Sequence, residues 1–161
     1  ETNPDGVPSE TFDDMAHQMQ NDRIGFLDAF GRTFFGVGML NKPLSTPLLE
    51  YYRMLCSVAS PRATAECAKA FATTDFRSEM KSIHVPTLII HGDEDKTVPI
   101  TPTGRQAANL IQDNAFLVYE GEPHGLFYTQ RERLNADLLR FIDNEDHALQ
   151  YIGADRFNSV I

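Results

Sequence analysis

The sequence predicts an α/β fold with a parallel sheet, preceded by a region of helices. Residues 85–142 alternate strand, helix, strand and helix, which is typical of parallel strands joined by helices. Residues 1–72 show one helical pattern after another and no convincing strand. The hydrophobic share of 42% of the 161 residues is enough for a packed core.

The first region is predicted to contain four helices. The first follows Ser9, a candidate N-cap residue, because apolar residues recur there at the spacing of an amphipathic face. Those apolar residues are Phe12, Met15, Ala16 and Met19. Three further helices are predicted at residues 23–30, 46–57 and 63–71.

The second region begins with the apolar run 85–90, as expected of a strand buried on both faces of a parallel sheet. A helix is predicted after Thr101 and Pro102, a second strand at 115–119 and a final helix at 131–142. The residues expected to face inward from these two helices are Ala107, Ala108, Ile111, Leu134, Leu138, Phe141 and Ile142. Two strands would leave both sheet edges unpaired, so we expect part of the sheet to come from outside this sequence.

The charge balance excludes two classes of function. With 14 Lys and Arg against 23 Asp and Glu, the net charge is −9, which argues against binding to nucleic acid or to an anionic lipid surface. No apolar run is long enough to cross a bilayer, and we expect a cytoplasmic location. Cys56 and Cys67 lack a CxxC spacing, so we expect two buried thiols that behave as small hydrophobic residues.

The residues that could carry chemistry follow the two predicted strands. Asp93 and Asp95 come after the first strand, and His124 comes after the second. Loops at the carboxyl ends of parallel strands are where α/β folds place catalytic groups. A carboxylate that accepts from one histidine nitrogen leaves the other nitrogen as a general base. Such a base needs a nucleophile, and the sequence contains no Gly-x-Ser-x-Gly motif.

Other interpretations of these polar residues stay open. The acidic run 93–95 could bind a metal, although it lacks the ligand spacing of a calcium loop. His91 closes the first strand and is interpreted as a hydrogen-bonded structural histidine. The remaining histidines have no partner visible in the sequence, and we assign them to the surface or to the helical region: His17, His84 and His147.

Two motifs and their spacing carry a family resemblance. They are His-Gly-Asp-Glu-Asp-Lys-Thr-Val-Pro at 91–99 and Pro-His-Gly at 123–125, with 29 positions from Asp95 to His124. Supporting segments lie at 3–8, 65–67, 70–71, 74–76, 83–88 and 134–139. Over residues 1–142 the sequence resembles the cap and last third of an α/β-hydrolase, in the branch of cofactor-free haloperoxidases, arylesterases and perhydrolases.

The resemblance implies a serine-type mechanism of ester hydrolysis without metal or other cofactor. Asp95 matches the acid of the catalytic triad and His124 matches its base. Asp93 is the other candidate for the acid, and we expect it instead to fix the loop. The nucleophilic serine and the oxyanion-hole donors are expected in an N-terminal half that this sequence does not contain. The serine would be acylated, and water or hydrogen peroxide would then take the acyl group.

The resemblance also divides the chain into regions. It assigns residues 1–72 to a helical cap, 73–143 to the C-terminal part of the hydrolase core and 144–161 to an extra tail, which we expect to be docked. The residues predicted to line an apolar acyl pocket are Phe26, Phe30, Phe34, Phe35, Leu126 and Phe127. The expected partners are the N-terminal half of the same hydrolase, a small ester or acyl substrate and a second copy of the chain, with no nucleic acid and no membrane.

Two alternatives to ester hydrolysis remain. The same acid and histidine serve other reactions on this fold, such as carbon–carbon bond hydrolysis, lactone opening or dehalogenation. The chain could also be a non-catalytic protein that keeps the fold for assembly.

Overall fold

The computed structural model describes residues 6–143. The chain divides into two compact units, Glu1–Asp75 and Phe76–Ile161, where the sequence placed a boundary after residue 72. The interpretation of the first unit as a cap and of the second as hydrolase core stays a prediction. The predicted tail 144–161, which includes His147, lies outside the described residues.

The first unit contains the four predicted helices. They are α1 (Ser9–Asn21), α2 (Arg23–Phe34), α3 (Thr46–Ser57) and α4 (Pro61–Thr73). Ser45 and Ser60 cap α3 and α4 by accepting from backbone N–H groups, and each is followed by proline in the first turn. The prediction of Ser9 as an N-cap is wrong, because α1 already includes Ser9 and no side chain caps it.

The core of the first unit lies around α2 and α3. Phe35 is 3% exposed, and its ring centroid lies 5.0 Å from that of Tyr52. Leu44 and Leu49 are each 5% exposed. The predicted inner face of α1 is correct, because its four apolar residues are half-buried while the positions between them are exposed.

The two cysteines correct a prediction. Cys56 and Cys67 are free thiols, and both are exposed rather than buried. They lie on helices with few buried positions, since Leu49 is the single buried residue of α3 and α4 has none.

The second unit has the predicted alternation of strands and helices. Its elements are α5 (Arg77–Met80), β1 (Thr87–Gly92), a π-helical turn (Thr101–Arg105), α6 (Gln106–Leu110), β2 (Asn114–Tyr119), α7 (Leu126–Thr129) and α8 (Arg131–Asp143). The strands β1 and β2 are parallel, in a register that runs from Thr87 opposite Asn114 to Gly92 opposite Tyr119. In the described part of the chain they form a two-stranded sheet.

Burial differs between the two strands. Ala115, Leu117 and Tyr119 alternate as buried residues along β2, as one face of a packed strand should. The prediction of a first strand buried on both faces is wrong, because only Gly92 of β1 is buried and its other residues are half-buried. Within the described residues β1 has a neighbouring strand on one side alone.

Helix α8 is attached to β2 through a buried carboxylate. The Tyr119 hydroxyl, on a side chain that is fully buried, donates to Asp137 Oδ2 at 2.7 Å. The guanidinium of Arg133 lies 3.8 Å above the Tyr119 ring. Asp137 therefore occupies the inner face of the helix, and the prediction that Leu138 and Ile142 face inward is wrong, since they are 40% and 68% exposed.

No helix among residues 6–143 has the length and apolar character that crossing a membrane requires.

Candidate active site

The site lies where the two parallel strands end next to each other. Because Gly92 is paired with Tyr119 in the last step of the sheet, the loops that follow leave from neighbouring positions. Backbone hydrogen bonds then join the loops. The Asp93 N–H donates to the Tyr119 carbonyl at 3.2 Å, and the Glu94 N–H donates to the Glu122 carbonyl at 3.2 Å.

Asp95 and His124 form a hydrogen-bonded pair across the two loops. His124 Nδ1 lies 2.7 Å from Asp95 Oδ2. The Asp95 side chain is 2% exposed, whereas that of His124 is 34% exposed. A carboxylate accepts and does not donate, so Nδ1 carries the proton and Nε2 of the neutral ring is the basic nitrogen.

The second oxygen of Asp95 is held by its own loop. Asp95 Oδ1 accepts from the backbone N–H groups of Thr97 at 2.9 Å and of Val98 at 2.8 Å. These two donors replace the hydrogen bonds that the buried carboxylate would otherwise make with water, and they leave Oδ2 directed at His124.

Asp93 takes the structural position that the sequence interpretation gave it. Its Oδ1 accepts from the Gly121 N–H at 2.6 Å, which ties the first loop to the turn after β2. Gly121 has a φ of 73°, in the left-handed region that favours glycine. The structure thus brings Asp95 to His124 and uses Asp93 to join the loops.

Two polar residues at the site were missed or undervalued by sequence reasoning. Glu122 accepts from the Thr129 hydroxyl at 2.5 Å and from Gln130 Nε2 at 2.6 Å, which anchors the His124 loop to α7. His91 Nε2 lies 2.8 Å from the Val98 carbonyl and 3.3 Å from Asp95 Oδ2. The sequence signal for Glu122 was its position two residues before the histidine. Its hydrogen-bond partners lie after the loop in the sequence, and no motif identifies them.

Gly92 allows the two loops to approach each other closely because it has no Cβ atom. A Cβ atom there would overlap the Glu122 carbonyl and lie 3.0 Å from the Pro123 carbonyl oxygen. We expect Gly92→Ala to lower the free energy of unfolding by about 1–3 kcal/mol, because backbone must move to accept the methyl group. The measurement is the midpoint of urea denaturation at unchanged m-value.

Gly38→Ala is the matched control for this prediction. A Cβ atom on Gly38 would have no atom within 4 Å, so its effect should stay within about 0.5 kcal/mol. Equal denaturation midpoints for the two variants would contradict the close approach at Gly92.

The residues predicted to line a pocket are found in both units, and we describe each unit separately. In the first unit Phe26, Phe30 and Phe34 form a row along α2, with ring centroids 5.8 and 6.2 Å apart. Phe35 belongs to the core of that unit. In the second unit Leu126 is half-buried and Phe127 is 45% exposed at the start of α7. Their pocket role stays a prediction.

Two further histidines lie at the surface, one in each unit. His17 and His84 are exposed, as the sequence interpretation expected. Among residues 6–143 no three His, Cys, Asp or Glu side chains are grouped so that they could hold a metal ion.

The chain is similar to known proteins in both sequence and structure. The chain is 36% identical over 143 residues to a bifunctional esterase/perhydrolase of Acinetobacter calcoaceticus, covering 88% of this chain and 52% of the relative. It is 35% identical over 143 residues to a non-heme chloroperoxidase of Streptomyces lividans, with the same two coverages. The crystal structure of a bromoperoxidase from Bacillus anthracis matches with a TM-score of 0.84 and 35% identity, over 89% of this chain and 52% of that one.

No protein-family model matches the chain. The chain spans about half the length of the curated relatives it matches, and the part it matches is their C-terminal part. With its parallel strands, its helices and these relatives, the chain is homologous to α/β-hydrolases that are named as non-heme haloperoxidases and esterases, and it has the fold of their C-terminal part.

Proposed function

We propose that this chain supplies the acid and the base of a serine-type carboxylic ester hydrolase. The hydrogen bond of 2.7 Å between His124 Nδ1 and Asp95 Oδ2 carries the proposal. An N-terminal half of the same hydrolase would supply the nucleophilic serine and the oxyanion-hole donors. The names of the relatives, esterase/perhydrolase and non-heme chloroperoxidase, support this choice of reaction.

In the acylation step, the serine hydroxyl attacks the ester carbonyl and His124 Nε2 takes the hydroxyl proton. The tetrahedral intermediate then collapses, the bond to the alcohol breaks, and the imidazolium gives its proton to the leaving oxygen. Asp95 holds the ring in the correct tautomer and stabilises the positive charge that it acquires.

In the deacylation step, His124 takes a proton from water, which attacks the acyl carbonyl. The bond to the serine oxygen then breaks, the imidazolium returns its proton to that oxygen, and the carboxylic acid leaves. When hydrogen peroxide replaces water, the product is a peracid, and the peracid then oxidises halide. These reaction steps need no metal and no other cofactor. They also explain how one active site could account for both the esterase and the haloperoxidase names among the relatives.

The surroundings of Asp95 suit its role in this mechanism. The carboxylate is almost fully buried, and both of its oxygens accept hydrogen bonds from groups fixed by the loop and by His124. Donors that are already in place need no rearrangement when charge develops on the imidazole.

The experiment compares the chain alone with the chain joined to the N-terminal half. We expect the complete protein to hydrolyse an aryl acetate and to react with a fluorophosphonate probe at a serine of the N-terminal half. The chain alone should do neither, because its sequence contains no Gly-x-Ser-x-Gly motif that could present a nucleophilic serine to His124.

Two outcomes would contradict the proposal. Ester turnover by the chain alone would show that it carries its own nucleophile. A complete, folded protein that neither hydrolyses esters nor reacts with the probe would support a role in assembly without catalysis.

A further inference from the structure

We propose that His91 is a positioning residue for the Asp95–His124 pair, acting through the Val98 carbonyl and the Asp95 carboxylate. Its kinetic consequence rests on the proposed ester hydrolysis, whereas its structural consequence can be measured without any activity. The inference gives a specific role to a histidine that the sequence interpretation treated as a hydrogen-bonded structural residue.

A series of contacts connects His91 to His124 through Val98 and Asp95. His91 Nε2 is hydrogen-bonded to the Val98 carbonyl oxygen at 2.8 Å. The N–H of the same Val98 donates to Asp95 Oδ1 at 2.8 Å. The other carboxylate oxygen, Oδ2, faces His124 Nδ1 and also lies 3.3 Å from His91 Nε2. Asp95 Oδ2 therefore lies close to a ring nitrogen of each of two histidines.

The tautomer of His91 follows from these neighbours. A backbone carbonyl and a carboxylate both accept, so Nε2 of His91 carries a proton. That N–H places its positive end beside the Asp95 oxygen that must stay negative when His124 becomes an imidazolium. Because the side chains of His91 and Asp95 are only 12% and 2% exposed, water screens this interaction little.

The ring of His91 is fixed on its opposite edge as well. A Cβ atom on Gly104, in the π-helical turn, would lie 2.6 Å from His91 Nδ1. The turn thus packs closely against the ring and limits its movement away from the acid loop. The Nε2–H donor is held by the turn on one edge and by Val98 on the other.

The test uses two variants of the complete hydrolase. His91→Leu removes the donor, and His91→Gln places an amide N–H near the position of Nε2. We expect His91→Leu to lower kcat for an aryl ester about tenfold with little change in KM, the effect of losing one buried hydrogen bond, here the one to the Val98 carbonyl. His91→Gln should recover most of this loss. His84→Leu, which changes an exposed histidine of the same unit, is the matched control.

Nuclear magnetic resonance of 15N-labelled histidine tests the same inference without substrate. In the wild type we expect His91 to carry its proton on Nε2 and His124 to show a hydrogen-bonded Nδ1 proton protected from exchange with water. His91→Leu should weaken that protection at His124, and His84→Leu should not.

The outcomes separate this inference from the proposed function. An inactive wild type with the expected His91 tautomer, and with His124 protection lost in His91→Leu, would overturn ester hydrolysis and keep the positioning role. A proton on Nδ1 of wild-type His91 would overturn the positioning role, even if His91→Leu fails to fold. Equal losses of kcat in the Leu and Gln variants would also overturn it, because that result indicates packing alone.

Discussion

In the complete hydrolase, His124→Ala should lower kcat for an aryl ester by about 10⁶-fold, the scale seen when the base of a serine triad is removed. The substitution deletes the nitrogen that takes the serine proton and returns it to the leaving alcohol. It also leaves Asp95, whose side chain is 2% exposed, without its partner at 2.7 Å. The measurement is initial-rate kinetics at saturating ester, with circular dichroism to show that the variant is folded.

His84→Ala is the control for this loss. His84 is an exposed residue of the same unit, before β1, and its removal should leave kcat within about twofold, since surface changes away from a site have small effects. A His124→Ala enzyme that keeps more than about one hundredth of wild-type kcat would contradict the role of His124 as general base.

Asp95→Asn should lower kcat by about 10⁴-fold, because an amide at this position changes the histidine tautomer. An asparagine NH₂ directed at His124 Nδ1 donates where the carboxylate accepted. The ring proton then moves to Nε2, which can no longer accept the serine proton. KM should change little, since no substrate contact is removed.

Asp93→Asn separates this effect from a general loss of acidic charge in the loop. Asp93 accepts from the Gly121 N–H, and an asparagine keeps an oxygen that can do the same. We expect kcat to fall less than about tenfold, the scale of one hydrogen bond. A larger loss for Asp93→Asn than for Asp95→Asn would move the acid role to Asp93.

Much of the architecture was predictable because it depends on local pattern. The apolar spacing in α1 and the start of α3, with Ser45 as the cap and a proline in the first turn, are local signals that need no tertiary information. The apolar runs of β1 and β2 are the corresponding signals for the strands. The rule that parallel strands bring their carboxyl ends together predicted that the acidic loop would lie beside His124. The choice of Asp95 over Asp93 as the partner came from the family resemblance.

The features that sequence reasoning missed depend on distant partners. Asp137 is buried and accepts a hydrogen bond from the Tyr119 hydroxyl, whereas Leu138 and Ile142 of the same helix are exposed. The contacts of His91 with the Asp95 loop and with Gly104 likewise need the folded turn. A hydrophobicity pattern treats an acidic residue as an outer position. It therefore misses Asp137 on the inner face of α8, although it identifies the half-buried Leu134 and Phe141.

In the complete hydrolase that we propose, ester turnover would report correct strand alignment, because the parallel register of β1 and β2 sets the positions of the two loops. Asp95 and His124 stand a fixed few residues beyond the Gly92–Tyr119 pair. A slip of one residue would displace one loop by about 3.3 Å and turn the side chains of that strand to the opposite face. The hydrogen bond between Asp95 and His124 would not survive that displacement. During refolding, chains with slipped strands would have native-like secondary structure and no activity, so recovery of ester turnover would time the final alignment of the sheet.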